Sequence, residues 1–234
     1  MVTCVLLNTA PADVYTQMAV DDFFVNSQPA DTCFLRFFNW KPAAAATFGY
    51  AQFESSVKKQ LSAEGIKEYT RRPTGGGVVL HKGDLTFSLI FNNSKAENPR
   101  VIYSSLHGFI KEELLKIKTH VAVYDSKSDY RPAHNGIASN CFTNPVSDDL
   151  LGADGIKVLG GAIRRFGQRV LYQGSFQLAG SRGNAQYTAA IKAAVLKYLG
   201  AGAFIQRSLD TAEELQIEQL AKSRYNTPQW IEKF

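Results

Sequence analysis

Apolar and polar positions along this chain follow two periods. Between residues 11 and 25, Val14, Met18 and Phe23-Phe24 share one side of a helical turn and predict a first helix. A dense aromatic run over 33–40, bounded by Asp31 and Pro42, predicts a buried strand. Ser55 or Ser56 is placed to cap a helix reaching Glu64, and Gly65 to end it. A short strand is expected over 66–71. Apolar runs at 78–80 and 85–91 flank Lys82-Gly83-Asp84, which predicts an antiparallel hairpin. Ile102, Leu106, Phe109, Ile110, Leu114 and Ile117 set a helical period across 101–117. A strand is expected at 120–124. Residues 126–144 are polar and irregular, a loop with a short strand near Ile137. Asp154-Gly155 marks a second hairpin, between Leu150-Leu151 and residues 156–159. A strand over 169–178 ends at Gly180. Helices over 185–199, stopped by Gly200 and Gly202, and over 210–224, capped by Asp210, complete the chain.

Hairpins in the middle and helices at both ends point to an α+β fold, a mixed, largely antiparallel sheet flanked by helices, and away from a βαβ nucleotide fold. No repeat or linker divides the chain, so one domain over 1–234 is expected. With 45% hydrophobic, 20% charged and 12% aromatic residues, it has the composition of a globular protein with a sizeable core. Cys4, Cys33 and Cys141 have no close partner in sequence, so neither a disulfide framework nor a metal cluster is expected, and a reducing cytoplasm fits. The first seven residues carry no basic leader, and no apolar run approaches the ~18 residues of a membrane span. A net charge of +5 leans towards an acidic partner and is too weak to indicate nucleic acid.

Two segments carry chemistry. Arg71-Arg72-Pro73-Thr74-Gly75-Gly76-Gly77 sets two planar guanidinium groups beside three glycines. Such a run lets a ligand approach the backbone, or supplies a turn with φ > 0. It is not a Walker loop, because no Gly-Lys-Ser/Thr is present and a strand, not a helix, is expected next. A glycine-rich turn with surface arginines is the other reading. In the second segment, Lys157 follows the Asp154-Gly155 turn and precedes Gly160-Gly161. A strand lysine there suits a carbonyl oxygen as a point charge, or is simply solvated.

Read together and in order, these blocks resemble the catalytic domain shared by lipoate-protein ligases, octanoyltransferases and, more distantly, biotin-protein ligases. Met18-Ala19-Val20-Asp21-Asp22 looks like an early helix of that family, and Leu35-Arg36-Phe37, Trp40-Lys41-Pro42 and Gly49-Tyr50-Ala51-Gln52 like its next strand and turn. Arg71-Arg72, Thr74 to Gly77, Val79 and His81 form its most specific block. Lys157, Gly160 and Ala162, then Gln173-Gly174-Ser175, resemble its lysine block and the following His-Gly-Ser/Thr, and 225–230 resembles its tyrosine–tryptophan end. There are departures: Gly161 stands where Ser or Asn is usual, Ile163 where Gln is frequent, and Gln173 where His is usual. Gln173 cannot titrate. The resemblance implies a fold like those of the class II synthetases and biotinyl/lipoyl protein ligases. It also implies a tunnel for an acyl chain between Gly75–Gly77 and the Lys157 strand. Arg71, Arg72, Gly75, Gly76, Gly77, His81, Gly160, Gly161, Ala162, Gln173 and Gly174 are its implied substrate-binding residues.

The family contains two chemistries. Its ligases activate lipoate with ATP and Mg²⁺, and their matching loop carries an Arg-Asn-Asp triplet. One transferase branch carries Cys-Phe-x-x-Pro instead, with the cysteine as acyl acceptor, and this chain reads Cys141-Phe142-Thr143-Asn144-Pro145. The resemblance therefore implies an octanoyltransferase with Cys141 and Lys157 as catalytic residues and no cofactor. The donor is acyl carrier protein. The acceptor is a lysine on a lipoyl domain of a 2-oxoacid dehydrogenase or on the glycine cleavage H protein, and the group moved is octanoyl or lipoyl. The chain ends where that catalytic domain is expected to end, without the C-terminal accessory domain of many ligases. An ATP-dependent lipoate-protein ligase without Cys141, and a non-catalytic module that binds acyl chains or lipoyl domains, are the alternatives.

Overall fold

The computed structural model describes residues 2–27, 29, 31–125 and 142–234. In order, its elements are β1 (Thr3–Asn8), α1 (Val14–Ser27), β2 (Thr32–Phe38), β3 (Ala45–Phe48), α2 (Glu54–Ala63), β4 (Tyr69–Arg71), β5 (Val79–His81), β6 (Leu85–Asn92) and α3 (Pro99–Lys116). There follow β7 (Ala122–Val123), β8 (Leu150–Leu151), β9 (Lys157–Phe166), β10 (Arg169–Phe176), α4 (Ala185–Leu199), β11 (Phe204–Ser208), α5 (Thr211–Leu220), a π-helical turn (Ala221–Tyr225) and α6 (Pro228–Ile231).

Eight strands form one sheet in the order β11-β1-β2-β6-β10-β9-β8-β7, and a smaller sheet has the order β4-β3-β5. The β11-β1-β2 end is parallel and the ladder from β2 to β7 antiparallel, so the sheet is mixed and mainly antiparallel as expected. Alternation along β6 sorts its side chains: Phe87, Leu89 and Phe91 enter a core with Ile102, Leu106 and Ile110 of α3 and Ile191 and Val195 of α4. Ile90 faces the other way, into a core with Val14, Met18 and Phe24 of α1 and Ile217 of α5. A third cluster, around Phe48, Val57 and Leu61, joins the small sheet to α2.

The helices over 101–117 and 185–199 stand close to their expected limits, and Gly200 ends α4 in the left-handed conformation at φ 64°. Asp210 caps α5 through a full capping box with Glu213. Three expectations are corrected. The first helix begins at Val14 and not residue 11, because the Asp13 carboxylate accepts the Thr16 N–H at 2.7 Å and caps it there. Neither Ser55 nor Ser56 caps α2, whose N-cap is Phe53 and whose first residue is Glu54. The runs at 78–80 and 85–91 do not pair with each other: β5 pairs with β3 in the small sheet, while β6 lies between β2 and β10 in the large one. Strands β1, β3 and β11 carry no strong alternation that would mark them in the sequence. The strand expected near Ile137 lies outside the described residues.

Candidate active site

A cleft, partly open to solvent, lies where the two sheets meet. Its walls are Met18 of α1, Phe38 and Trp40 from β2 and the segment after it, Thr47 of β3, Arg72, Val79 and His81 around the glycine run, Phe142, Gly160 to Ala162 of β9, and Thr86 and Gln173 to Ser175 of β6 and β10. Sequence alternation explains its polar floor. Thr86 and Ser88 of β6, and Gln173 and Ser175 of β10, point away from the face that packs on α3 and α4, and each is buried.

Two buried polar systems hold this floor. In the first, Asp21 of α1 accepts from Arg36 at 2.7 Å, Ser88 at 2.6 Å and Gln173 Nε2 at 2.7 Å. Gln173 Oε1 accepts the Thr74 hydroxyl at 2.6 Å, so one carboxamide ties the helix to the segment before the glycines with both of its ends engaged. Such an arrangement needs a group that donates and accepts at once, which a carboxamide does without titrating. In the second, His81 Nδ1–H donates to Asp84 Oδ2 at 2.8 Å and its Nε2 meets the Thr47 hydroxyl at 3.0 Å, with Trp40 stacked on the ring at 4.0 Å. Asp84 also accepts from Thr86 at 2.8 Å and Ser175 at 2.7 Å. Burial alone would push its carboxyl upward, but the facing imidazole and these donors bring it down to about 2.

Lys157 begins β9, with its side chain 2% exposed and its Nζ 2.8 Å from Asp149 Oδ2. Asp149 also accepts the Tyr103 hydroxyl at 2.5 Å and the Val146 N–H at 2.7 Å, and Tyr103 accepts the Gly161 N–H at 2.9 Å. Burial and then the Asp149 charge push the Tyr103 phenol well above its ordinary range, which keeps it a donor. The Lys157 ammonium also lies 5.1 Å from the centre of the Phe142 ring, within cation–π range. Behind the cleft, Tyr172 donates to His107 Nε2 at 2.8 Å, and His107 Nδ1–H donates to the Asp148 carbonyl at 2.7 Å. Burial lowers His107 to about 3, so this imidazole is neutral.

Of the residues singled out from sequence, Arg72, His81, Gly160, Gly161, Ala162, Gln173 and Gly174 border the cleft, with Lys157 packed against Gly160. Arg72 is buried and donates to the Thr47 carbonyl at 3.3 Å and to the Gly75 carbonyl. Arg71 is not in the cleft. Its guanidinium donates to the carbonyls of Tyr50 (2.5 Å), Gln52 (2.7 Å), Trp230 (2.9 Å) and Ile231 (2.8 Å), so it fastens the C-terminal turn to the body. Gly75, Gly76 and Gly77 do not line the cleft either; Gly76 stands at φ 89° and packs against Gly49, where a Cβ would lie 1.8 Å from the Gly76 carbonyl oxygen. Cys141 lies outside the described residues. Sequence reasoning missed Asp149, Tyr103, Asp21, Thr47 and Asp84. For Asp149 a signal existed: it stands two residues before Leu151, which pairs with Lys157 across the second hairpin, so an acidic side chain there reaches the lysine diagonally. Among the described residues no group of three or more His, Cys, Asp or Glu side chains could hold a metal ion, and no helix is long and apolar enough to cross a membrane.

Comparison with known proteins bears on the same region. Octanoyltransferase LipM of Bacillus subtilis is 30% identical over 183 residues, covering 73% of this chain and 63% of that protein. The enzyme of that name from Moorella thermoacetica is 29% identical over 185 residues, covering 74% and 64%. The chain thus spans less than two thirds of the length of these relatives. Among solved structures, a lipoate-protein ligase A bound with ATP superposes with a TM-score of 0.77 at 18% identity over 98% of each chain. A bi-partite lipoate protein ligase from Thermoplasma acidophilum superposes with a TM-score of 0.74 at 18% identity over 99% of this chain and 96% of that one. At such identities these two likenesses establish the fold. Residues 13–198 match the family model for the lipoyl protein ligase A/B catalytic domain, and this chain belongs to that family.

Proposed function

We propose that this protein is an acyltransferase of protein lipoylation, working in the cytoplasm, that moves an octanoyl group from acyl carrier protein to a lysine of a lipoyl domain through a thioester on Cys141. The observation that carries this reading is the position of Phe142, whose ring lies 5.1 Å from Lys157 Nζ, so that the residue following Cys141 in the chain sits at the cationic end of the cleft. Relatives named octanoyltransferase, at about 30% identity, support the same reaction class.

In this mechanism the Cys141 thiolate attacks the donor thioester carbonyl, the carrier's C–S bond breaks, and the carrier leaves as a thiolate that takes up the proton Cys141 released on ionising. One thioester replaces another at little cost in free energy, so no nucleotide is required. The acceptor lysine then attacks the acyl-enzyme, forming an amide and releasing Cys141. Both steps pass through a tetrahedral oxyanion, for which Lys157⁺ is a donor; loss of one such donor costs roughly 3 kcal/mol of barrier. The cleft behind Lys157, walled by Met18, Phe38, Trp40 and Val79, is apolar enough for a saturated chain.

The test is to supply apo lipoyl domain with octanoyl-carrier protein, or with lipoate, ATP and Mg²⁺, and weigh the products. Modification from the thioester donor alone, lost in both Cys141→Ala and Lys157→Ala, is the expected result. Modification only with ATP, untouched by Cys141→Ala, would assign the protein to the ligases. Acyl binding without transfer from either donor would make it a binding module.

A further inference from the structure

A site that hands an acyl group to a lysine has a chemical difficulty when it holds a lysine of its own. A neutral Lys157 amine beside an activated carbonyl would attack it: the C–N bond forms, the C–S bond breaks, and the amine proton leaves with the thiol. The product is an amide, which no later step of the transfer reverses.

The surroundings of Lys157 oppose that outcome. Asp149 Oδ2 lies 2.8 Å from Nζ, with the two side chains 0% and 2% exposed. Two further donors converge on the same carboxylate, the Tyr103 hydroxyl on Oδ1 at 2.5 Å and the Val146 N–H on Oδ2 at 2.7 Å. Moving the lysine proton onto Asp149 would turn an acceptor of three hydrogen bonds into a donor facing donors, in a site where an unmatched polar group is costly. Tyr103 does not relieve this, since its phenol stays protonated and accepts from the Gly161 N–H at 2.9 Å. His107, which feels the Lys157 charge, is neutral, and Tyr172 beside it is protonated. Gly160 completes the seat, because a Cβ there would lie 2.5 Å from Nζ.

We propose that Asp149 is a positioning residue that holds Lys157 as an ammonium, so that Lys157 stabilises the oxyanion and does not compete with the acceptor lysine for the acyl group. This rests on the acyl-transfer reading above and concerns which amine is acylated.

The experiment incubates the whole protein with octanoyl-coenzyme A and no acceptor. Neutral hydroxylamine then strips thioesters and spares amides, and the peptide containing Lys157 is weighed. Wild type is expected to carry no octanoyl amide at Lys157 near pH 8. Asp149→Asn is expected to accumulate it at least about tenfold above background, faster as pH rises, with transfer to lipoyl domain declining in step. Asp149→Glu, which returns the charge, is expected to suppress the amide. An Asn variant that loses transfer with Lys157 unmodified overturns the proposal, as does a wild type acylated there equally. If the Asn variant does not fold, wild type is assayed from pH 7 to 10: amide rising at the alkaline end supports the proposal, and its absence at pH 10 overturns it. A wild type that takes up no acyl group and modifies no lipoyl domain overturns the acyl-transfer reading, and this inference with it.

Discussion

Gly160 and Gly161 are neighbours on β9 with different reasons for lacking a side chain. A Cβ at 160 would lie 2.2 Å from Lys157 Cε, the far end of a flexible chain, whereas one at 161 would lie 2.4 Å from the Tyr172 hydroxyl and 2.5 Å from its ring. That ring is fully buried and fixed by His107, so it cannot swing aside. The two alanine variants should therefore act through different neighbours. Gly160→Ala displaces the ammonium from its buried carboxylate, and should abolish transfer and also cost stability through the unpaired Asp149. Gly161→Ala overpacks a rigid core position and should lower stability by about 1–3 kcal/mol. Denaturant titration paired with single-turnover transfer reads both, and a Gly160→Ala protein that keeps full transfer would contradict the assignment. The departure at position 161 thus has a local cause, a tyrosine on β10 filling the space that a larger residue would need. Gln173 likewise serves two neighbours, Asp21 and Thr74, that the pattern of the sequence does not connect.

At the scale of elements, the sequence was most informative where a segment answers to its own residues. The α4 span, the Asp210 cap and the Asp154-Gly155 turn were readable because caps and turns are local chemistry. The 78–91 hairpin does not form because β6 is paired on both sides, with β2 and β10, while β5 takes β3 of the small sheet as its partner. Strands β1 and β11 are defined by their parallel pairing, which leaves no turn signal. Partners distant in sequence were also hidden: Arg71 resembles a ligand arginine in sequence and is spent on carbonyls some 160 residues away. Helix α3 shows what such long-range ties do to pH dependence, through His107. Neutral in the folded state down to about 3, this imidazole takes up a proton in the unfolded chain below its ordinary 6.5. Between those values the unfolded state holds more protons, so stability falls as pH drops through the window and the effect levels off below about 3, with a limiting slope of roughly 1.4 kcal/mol per pH unit. Asp84, held at about 2, acts in the same direction below its ordinary 3.8. His107→Asn keeps a donor for the Asp148 carbonyl and cannot titrate. It should be less stable than wild type at pH 7 and lose stability less steeply between pH 6.5 and 4, as urea unfolding at a series of pH values would show. Parallel slopes would mean that His107 is not the group responsible.

Across the whole molecule, the modest charge of +5 is less telling than where part of it lies. Arg164 donates to the Pro73 carbonyl at 2.8 Å and stacks 4.3 Å from the centre of the Tyr50 ring, which places it beside the glycine run. Lys233 caps the same ring at 4.5 Å and bonds the Tyr50 hydroxyl, and Arg224 lies 4.3 Å over Trp230. The Lys233 bond, and then the charges of Lys233 and Arg164, bring the Tyr50 phenol below its ordinary range despite some desolvation. Arg164 and Lys233 flank the segment that leads from Arg72 into the cleft, so an acidic partner would meet them at that end of the site. Steering of this kind acts on encounter and is screened over a Debye length of about 8 Å at physiological salt. Raising salt from about 50 to 500 mM should therefore raise KM for octanoyl-carrier protein several-fold, while KM for a small uncharged octanoyl thioester stays constant. Lys233→Glu should move KM towards its high-salt value at low salt with kcat unchanged, since that side chain does not border the cleft. A salt response identical for the protein and the small donor would place the effect in the chemistry at Lys157 and remove the rim from partner recognition.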